Sequence, residues 1–194
     1  MSDTSNELAL SAYPLTNPAT EQEQAKWHLQ QEVTALFGQL RSHLLRYLLA
    51  FGAPAYDAEE IIQEVFLALF RHLEAGKPRT NLRAWVFKVS HNLALKHRYS
   101  AAEAHEQNID AYHSEGVEWA DPAPNPEELA QRNQRRRLLR SVVRALPEQD
   151  RWCLSLRAEG LRYREIAEIL GISLGAVSLS LTRSLSRLGR ADKG

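Results

Sequence analysis

Cysteine occurs once in the 194 residues, as Cys153. A single thiol excludes a disulfide framework and a cysteine zinc site, and it fits a reducing compartment. Long hydrophobic runs are missing too. No apolar stretch approaches the ~20 residues that cross a bilayer, and residues 1–25 are polar and acidic, without the basic start and apolar stretch of a secretory signal. These absences predict a cytoplasmic protein with no membrane insertion. Reaction chemistry is equally thin: the seven His and the acids show no metal-ligand spacing, no Gly-rich loop cradles phosphate, and no nucleophile motif is present. The expectation is no catalytic residue, no metal, no cofactor and no enzymatic activity.

What is present suffices for a folded chain. The length suits one domain or two small ones, and 44% hydrophobic with 25% charged residues is enough to bury a core. The formal net charge is zero, but the charges are segregated. Residues 1–99 balance ten bases against ten acids, residues 100–134 set eight acids against Arg132 alone, and residues 135–194 carry 13 bases against six acids. Such segregation indicates two folded parts joined by an acidic connector, the second part attracted to a polyanion. A merely solvated basic face is the plainer alternative.

Residues 1–24 show no amphipathic period and read as a mobile tail. From Trp27 onward Val33, Phe37, Leu40, Leu44, Leu48 and Phe51 recur at helical spacing, until Gly52, Ala53 and Pro54 end the helix. Asp57 and Glu60 resemble a capping box for a second helix, whose buried stripe is Ile62, Val65, Phe66, Leu69 and Leu73. Its other side carries Glu60, Gln63, Glu64, Leu67 and Arg71. A leucine ringed by polar groups is what a partner-docking face offers, although single surface leucines are common.

Thr80 or Asn81 caps a third helix running to about Tyr99, with Leu82, Trp85, Val86, Val89 and Leu93 expected in the core. The far side carries Phe87, Lys88, His91, Arg98 and Tyr99, with Asn92 and Lys96 on the flank. No acid occurs between Glu74 and Glu103. Cations interleaved with aromatics suit single-stranded nucleic acid, because cations neutralise phosphates and rings stack on unpaired bases. The alternative is that the aromatics cover other core helices.

Residues 100–134 lose periodicity, and Pro122, Pro124 and Pro126 predict an extended connector, with helix resuming from about Glu127. Leu138, Val142 and Leu146 are expected to pack one helix stopped by Pro147. Trp152, Leu154 and Leu156 belong to the next, where Cys153 fills core and Gly160 ends the helix. Ile166, Ala167 and Leu170 then form the inner stripe of a short helix, Gly171 allows a sharp turn, and Ser173 caps a last helix with Val177, Leu181, Ser184 and Leu188 inward. This is a helix-turn-helix pattern, in which the second helix enters the DNA major groove.

Three blocks in this order resemble the extracytoplasmic-function (ECF) sigma factors of bacterial RNA polymerase. The block from Asp57 to Leu69 is similar to the conserved-region-two helix that docks on core polymerase, which makes Gln63, Glu64 and Leu67 partner-binding residues. The block from Asn81 to Leu93 resembles the helix that melts the minus-ten element, with Phe87, Lys88, His91, Asn92 and Lys96 as its DNA contacts. The segment from Ala145 through the helix-turn-helix resembles region four, which reads the minus-thirty-five element. Its implied DNA-binding residues are Ala176, Ser178, Leu179, Thr182, Arg183 and Arg187.

The resemblance implies an all-α fold with two small helical domains, region two at 25–99 and region four at 135–194, joined by a flexible acidic linker at 100–134. Its partners would be core RNA polymerase, duplex minus-thirty-five and melted minus-ten promoter DNA, and, as a further candidate, an anti-sigma factor. Two departures stand out. Ser178 and Ser180 occupy positions where the family usually has cations, which predicts weakened minus-thirty-five binding, and Arg162 replaces the common serine cap before Tyr163. A helix-turn-helix transcriptional regulator that is not a polymerase subunit is the competing reading.

Overall fold

The computed structural model describes the backbone of residues 18–104 and 126–192, and side chains over 21–100 and 131–192. Every regular element in these residues is helical: α1 (Pro18–Phe51), α2 (Ala55–Glu74), α3 (Leu82–Ala104), α4 (Pro126–Arg144), α5 (Glu148–Ala158), α6 (Tyr163–Leu170) and α7 (Leu174–Ala191). No single helix among them is long and apolar enough to cross a membrane.

The first three helices form one module. Along α1, Leu40, Leu44, Tyr47, Leu48 and Phe51 are buried. The helix stops where Gly52 takes φ 108°, a value open to glycine, and the Ala53 N–H donates back to Leu48 O at 3.0 Å. α2 buries Ala58, Ile61, Ile62, Val65, Phe66, Leu69 and Leu73 against α1 and α3. It begins earlier than the expected capping box. Pro54 is the N-cap and no side chain caps the helix, so Asp57 sits inside the first turn. There its charge favours the helix dipole without accepting a capping hydrogen bond.

α3 departs most from its expected packing. Among the five residues assigned to its core face, only Val86 is fully buried, while Leu82, Trp85, Val89 and Leu93 are half-buried. Ala84, Phe87, Ser90, His91 and Ala94 are buried as well. The cause is coverage from two sides: α3 packs on α1 and α2 and also on α6 of the second module.

In that second module α7 is the centre, touched by α4, α5 and α6. α6 and α7 cross at 107°, within the range of helix-turn-helix pairs. Gly171 takes φ 66° between them, and the Ser173 hydroxyl accepts from Ala176 N–H at 3.1 Å, as expected. Arg162 does stand at the N-cap of α6, where the Glu165 carboxylate accepts from its N–H at 2.6 Å and so retains half of a capping box. Leu138 corrects the expected α4 face, being exposed while Val142 is half-buried and Leu146 buried.

Two further boundaries shift. Residues 18–24, assigned to the tail, begin α1, and residues 100–104, assigned to the connector, extend α3, while α4 starts at Pro126, in line with helix resuming from about Glu127. Residues 1–17 and 105–125, the rest of the tail and the connector, lie outside the described residues. The two modules share one hydrophobic cluster running from Phe51 and Phe87 to Cys153, Leu156 and Ile166.

Candidate polymerase and nucleic-acid interfaces

The first face lies on α2. Gln63 and Glu64 are exposed, and Leu67 is 58% exposed although every neighbouring apolar residue of the helix points inward. Tyr56 is more exposed still. It stands seven residues before Gln63 and eleven before Leu67, so all three fall on one stripe of a 3.6-residue helix. Sequence reasoning passed over Tyr56 because it precedes the assumed cap. The spacing was the available signal.

On α3 the structure divides the expected contact set. Lys88, Asn92 and Lys96 are exposed. Phe87 and His91 are buried, which corrects their expected outward orientation and favours the alternative that such aromatics cover core helices. The Phe87 ring meets Tyr47 edge-on at 5.7 Å, and Tyr47, kept protonated by burial, donates its hydroxyl to His91 Nδ1 at 2.7 Å. Trp152 of α5 closes the site from the other module, standing edge-on to His91 at 5.0 Å and stacked on Phe51 at 5.2 Å. The Arg98 guanidinium lies over both Phe51 and Trp152 and pairs with Glu148.

Burial, aided by nearby Arg98 and opposed by Glu148, pushes the His91 pKa down to about 4. An exposed histidine binds a proton near pH 6.5. Between those values the unfolded chain holds a proton that the native chain excludes, so native stability falls as the pH drops from about 6.5 toward 4. We expect the urea midpoint of wild type to fall more between pH 7 and pH 5 than that of His91→Gln. Equal falls would remove His91 as a source of the acid sensitivity.

On α7, Ser178, Leu179, Thr182, Arg183 and Arg187 are exposed and Ala176 is half-buried. Ser180 is buried, so a cation there could not reach a groove. Instead the Ser180 hydroxyl donates to Asp150 Oδ1, which also accepts from Arg183 Nη2 at 2.9 Å. Asp150 is buried at the start of α5 and ties that helix to α7. Only Ser178 therefore counts as a missing outward cation. Cys153 is buried beside this network, and burial pushes its thiol pKa up, consistent with a core role.

Between the modules lies a contact that no local motif announced. Glu159, at the C-terminal end of α5 and only 8% exposed, accepts from Arg46 Nε at 3.0 Å, from Arg46 Nη2 at 2.9 Å and from His43 Nδ1 at 2.6 Å. Its backbone carbonyl accepts from Arg83. Helices α1 and α3 thus grip the end of α5.

Residues 36–103 match the family model "Sigma-70 region 2", and residues 136–188 match "Sigma-70, region 4". The ECF RNA polymerase sigma-E factor of Escherichia coli (strain K12) is 26% identical over 149 residues, covering 73% of this chain and 77% of that protein. The chain belongs to the ECF sigma factors of the sigma-70 family. The ECF sigma factor SigE of Mycolicibacterium smegmatis is 29% identical over 157 residues, covering 77% of this chain and 58% of SigE. The fold of this sigma factor is similar to two solved structures. Sigma factor RpoE of Bartonella quintana, in complex with the anti-sigma factor NepR, aligns with a TM-score of 0.63 at 19% identity, covering 84% of this chain and 96% of that one. CnrH in complex with the cytosolic domain of CnrY aligns at 0.56 and 23%, covering 87% and 92%. In these terms the α2 and α3 faces belong to region two, the α7 face to region four, and the Glu159 contact holds the regions together.

Proposed function

We propose that this sigma factor docks on core RNA polymerase through the α2 stripe of Tyr56, Gln63, Glu64 and Leu67. It acts on the melted minus-ten strand through Lys88, Asn92 and Lys96, and on the duplex minus-thirty-five element through the outward face of α7. The observation that carries this reading is the pairing in one chain of an exposed leucine stripe on the region-two helix with a helix-turn-helix of region four. A regulator that only binds DNA needs the second and has no use for the first.

The work of region two is assigned to residues 25–99 and that of region four to 135–194. The role is binding, carried out in the cytoplasm where polymerase and promoter meet. The similarly folded RpoE, solved in complex with the anti-sigma factor NepR, supports a partner of that kind here. Adding the purified chain to core polymerase should give promoter-specific transcripts that core alone does not make. DNA binding without such transcripts would favour the regulator.

The division within α3 separates two variants. Asn92→Ala removes an exposed polar group and should reduce open-complex formation on duplex promoters, with a smaller loss on templates already melted at the minus-ten element. Phe87→Ala hollows the core beside Tyr47 and should cost about 3–5 kcal/mol of stability. Permanganate footprints and thermal melts read the two effects. Equal defects of Asn92→Ala on both templates would remove Asn92 from strand capture.

A further inference from the structure

The outward face of α7 is nearly free of charge where a recognition helix meets base edges. Over its first turns that face consists of Gly175, Ser178, Leu179 and Thr182, and its first cation, Arg183, is drawn toward buried Asp150. The Thr182 hydroxyl donates to Ser178 O at 2.9 Å, so its proton is already used within the helix. Ser178 keeps a free hydroxyl, but serine pairs with donors and acceptors of several bases and discriminates weakly. Leu179 remains. It is 57% exposed, and around it on the same face stand Gly175, Ser178, Thr182 and Ser186, with Arg183 one turn on and paired with Asp150. The leucine therefore projects beyond a low surface that lets the helix backbone come close to the groove floor. Leu174 and Leu185, also exposed, lie about a third of a turn from Leu179, on the flank beyond Ser178.

A projecting alkyl group needs an apolar partner to gain from leaving water. Among the base edges of the major groove, the C5-methyl of thymine is the only alkyl group displayed. Arg187 and Arg190 stand on α7 beyond the leucine, placed to hold phosphates while it is buried. Resting on the assignment of α7 to the minus-thirty-five duplex, we infer that Leu179 is the specificity-determining residue for a thymine in that element and reads its methyl group. The element is thus recognised at this position by shape and apolar contact, without a charged hydrogen-bonding side chain.

The test uses holoenzyme assembled from core polymerase and the full chain. A minus-thirty-five element is selected from randomised duplex, and each thymine on either strand is then replaced singly by deoxyuridine, which removes only the methyl. Wild-type holoenzyme should lose about four-fold in affinity at one such position, the value of one buried methylene-sized group. Leu179→Ala, an exposed change to a stronger helix former, should lose affinity for the unmodified element and be indifferent to that deoxyuridine. The inference is overturned if Leu179→Ala keeps the wild-type deoxyuridine penalty, or if no thymine methyl matters to wild type while an element is still selected. If no element is selected at all, the assignment of α7 to the duplex fails, and the inference fails with it.

Discussion

Leu67→Asp should abolish most of the affinity for core polymerase while leaving the fold unchanged. Leu67 sits on the solvent side of α2, with Gln63 and Glu64 beside it and Tyr56 in line, and the core of that helix is filled by Ile62, Val65, Phe66 and Leu69. Nothing native rests on its side chain. A carboxylate there would enter a contact that must shed water on binding, at a cost of about 2 kcal/mol or more, roughly thirty-fold in Kd. Tyr56→Ala should weaken the same complex, because an exposed aromatic at the end of such a stripe is a typical anchor. Pull-down on core polymerase, with helicity checked by circular dichroism, decides it. A folded Leu67→Asp chain that binds as well as wild type would move the docking face elsewhere.

Glu159→Ala should release region four from region two. The carboxylate is the shared partner of Arg46 and His43, and without it the Arg46 guanidinium and the His43 ring lose the acceptor that draws them to α5. Breaking a buried pair in this one-sided way costs 3–5 kcal/mol in general, and about 3 is expected here because Arg46 and His43 are partly solvated. Separation would also unstack Trp152 from Phe51 and uncover the α3 face around His91 and Arg98. We therefore expect a larger radius of gyration by solution scattering, helicity retained, and tighter binding of a single-stranded minus-ten oligonucleotide than wild type shows. An unchanged radius would mean that the apolar cluster alone holds the regions together.

Features governed by a few adjacent residues are legible in the sequence. Gly52, Gly171 and Ser173 end and start helices through their own backbone and hydroxyl chemistry, and each does so where expected. The outward position of Leu67 follows from one helical period. The face of α3 is not legible in the same way. A helical wheel ranks residues against a single buried side, and α3 is covered by helices from both modules. His91 enters that second contact beside Trp152, whereas Phe87 turns onto Tyr47 of α1 within the first module.

Ser180 illustrates the same limit on a smaller scale. Its position in the sequence suggests a lost cation, but its partner is Asp150, thirty residues away. Glu159 meets Arg46 across 113 residues of chain, and neither residue stands in any motif. Asp57 fails as a cap for a local reason, since Pro54 lets the helix start two residues before it.

The clasp at Glu159 also bears on how ionic strength would act on this sigma factor. His43, Arg46 and Arg83 converge on the carbonyl end of α5, and Arg98 meets Glu148 at its other end with both side chains partly in water. Mobile ions weaken the exposed Arg98–Glu148 pair most and the half-solvated donors of the Glu159 clasp less, so added electrolyte loosens the closed form while it also competes with Lys and Arg for phosphates. The two effects oppose each other in any measurement of DNA affinity on the whole chain. Counterion counting would then report fewer phosphate contacts than the protein makes, and the deficit should disappear in Glu159→Ala, where no clasp remains to be loosened.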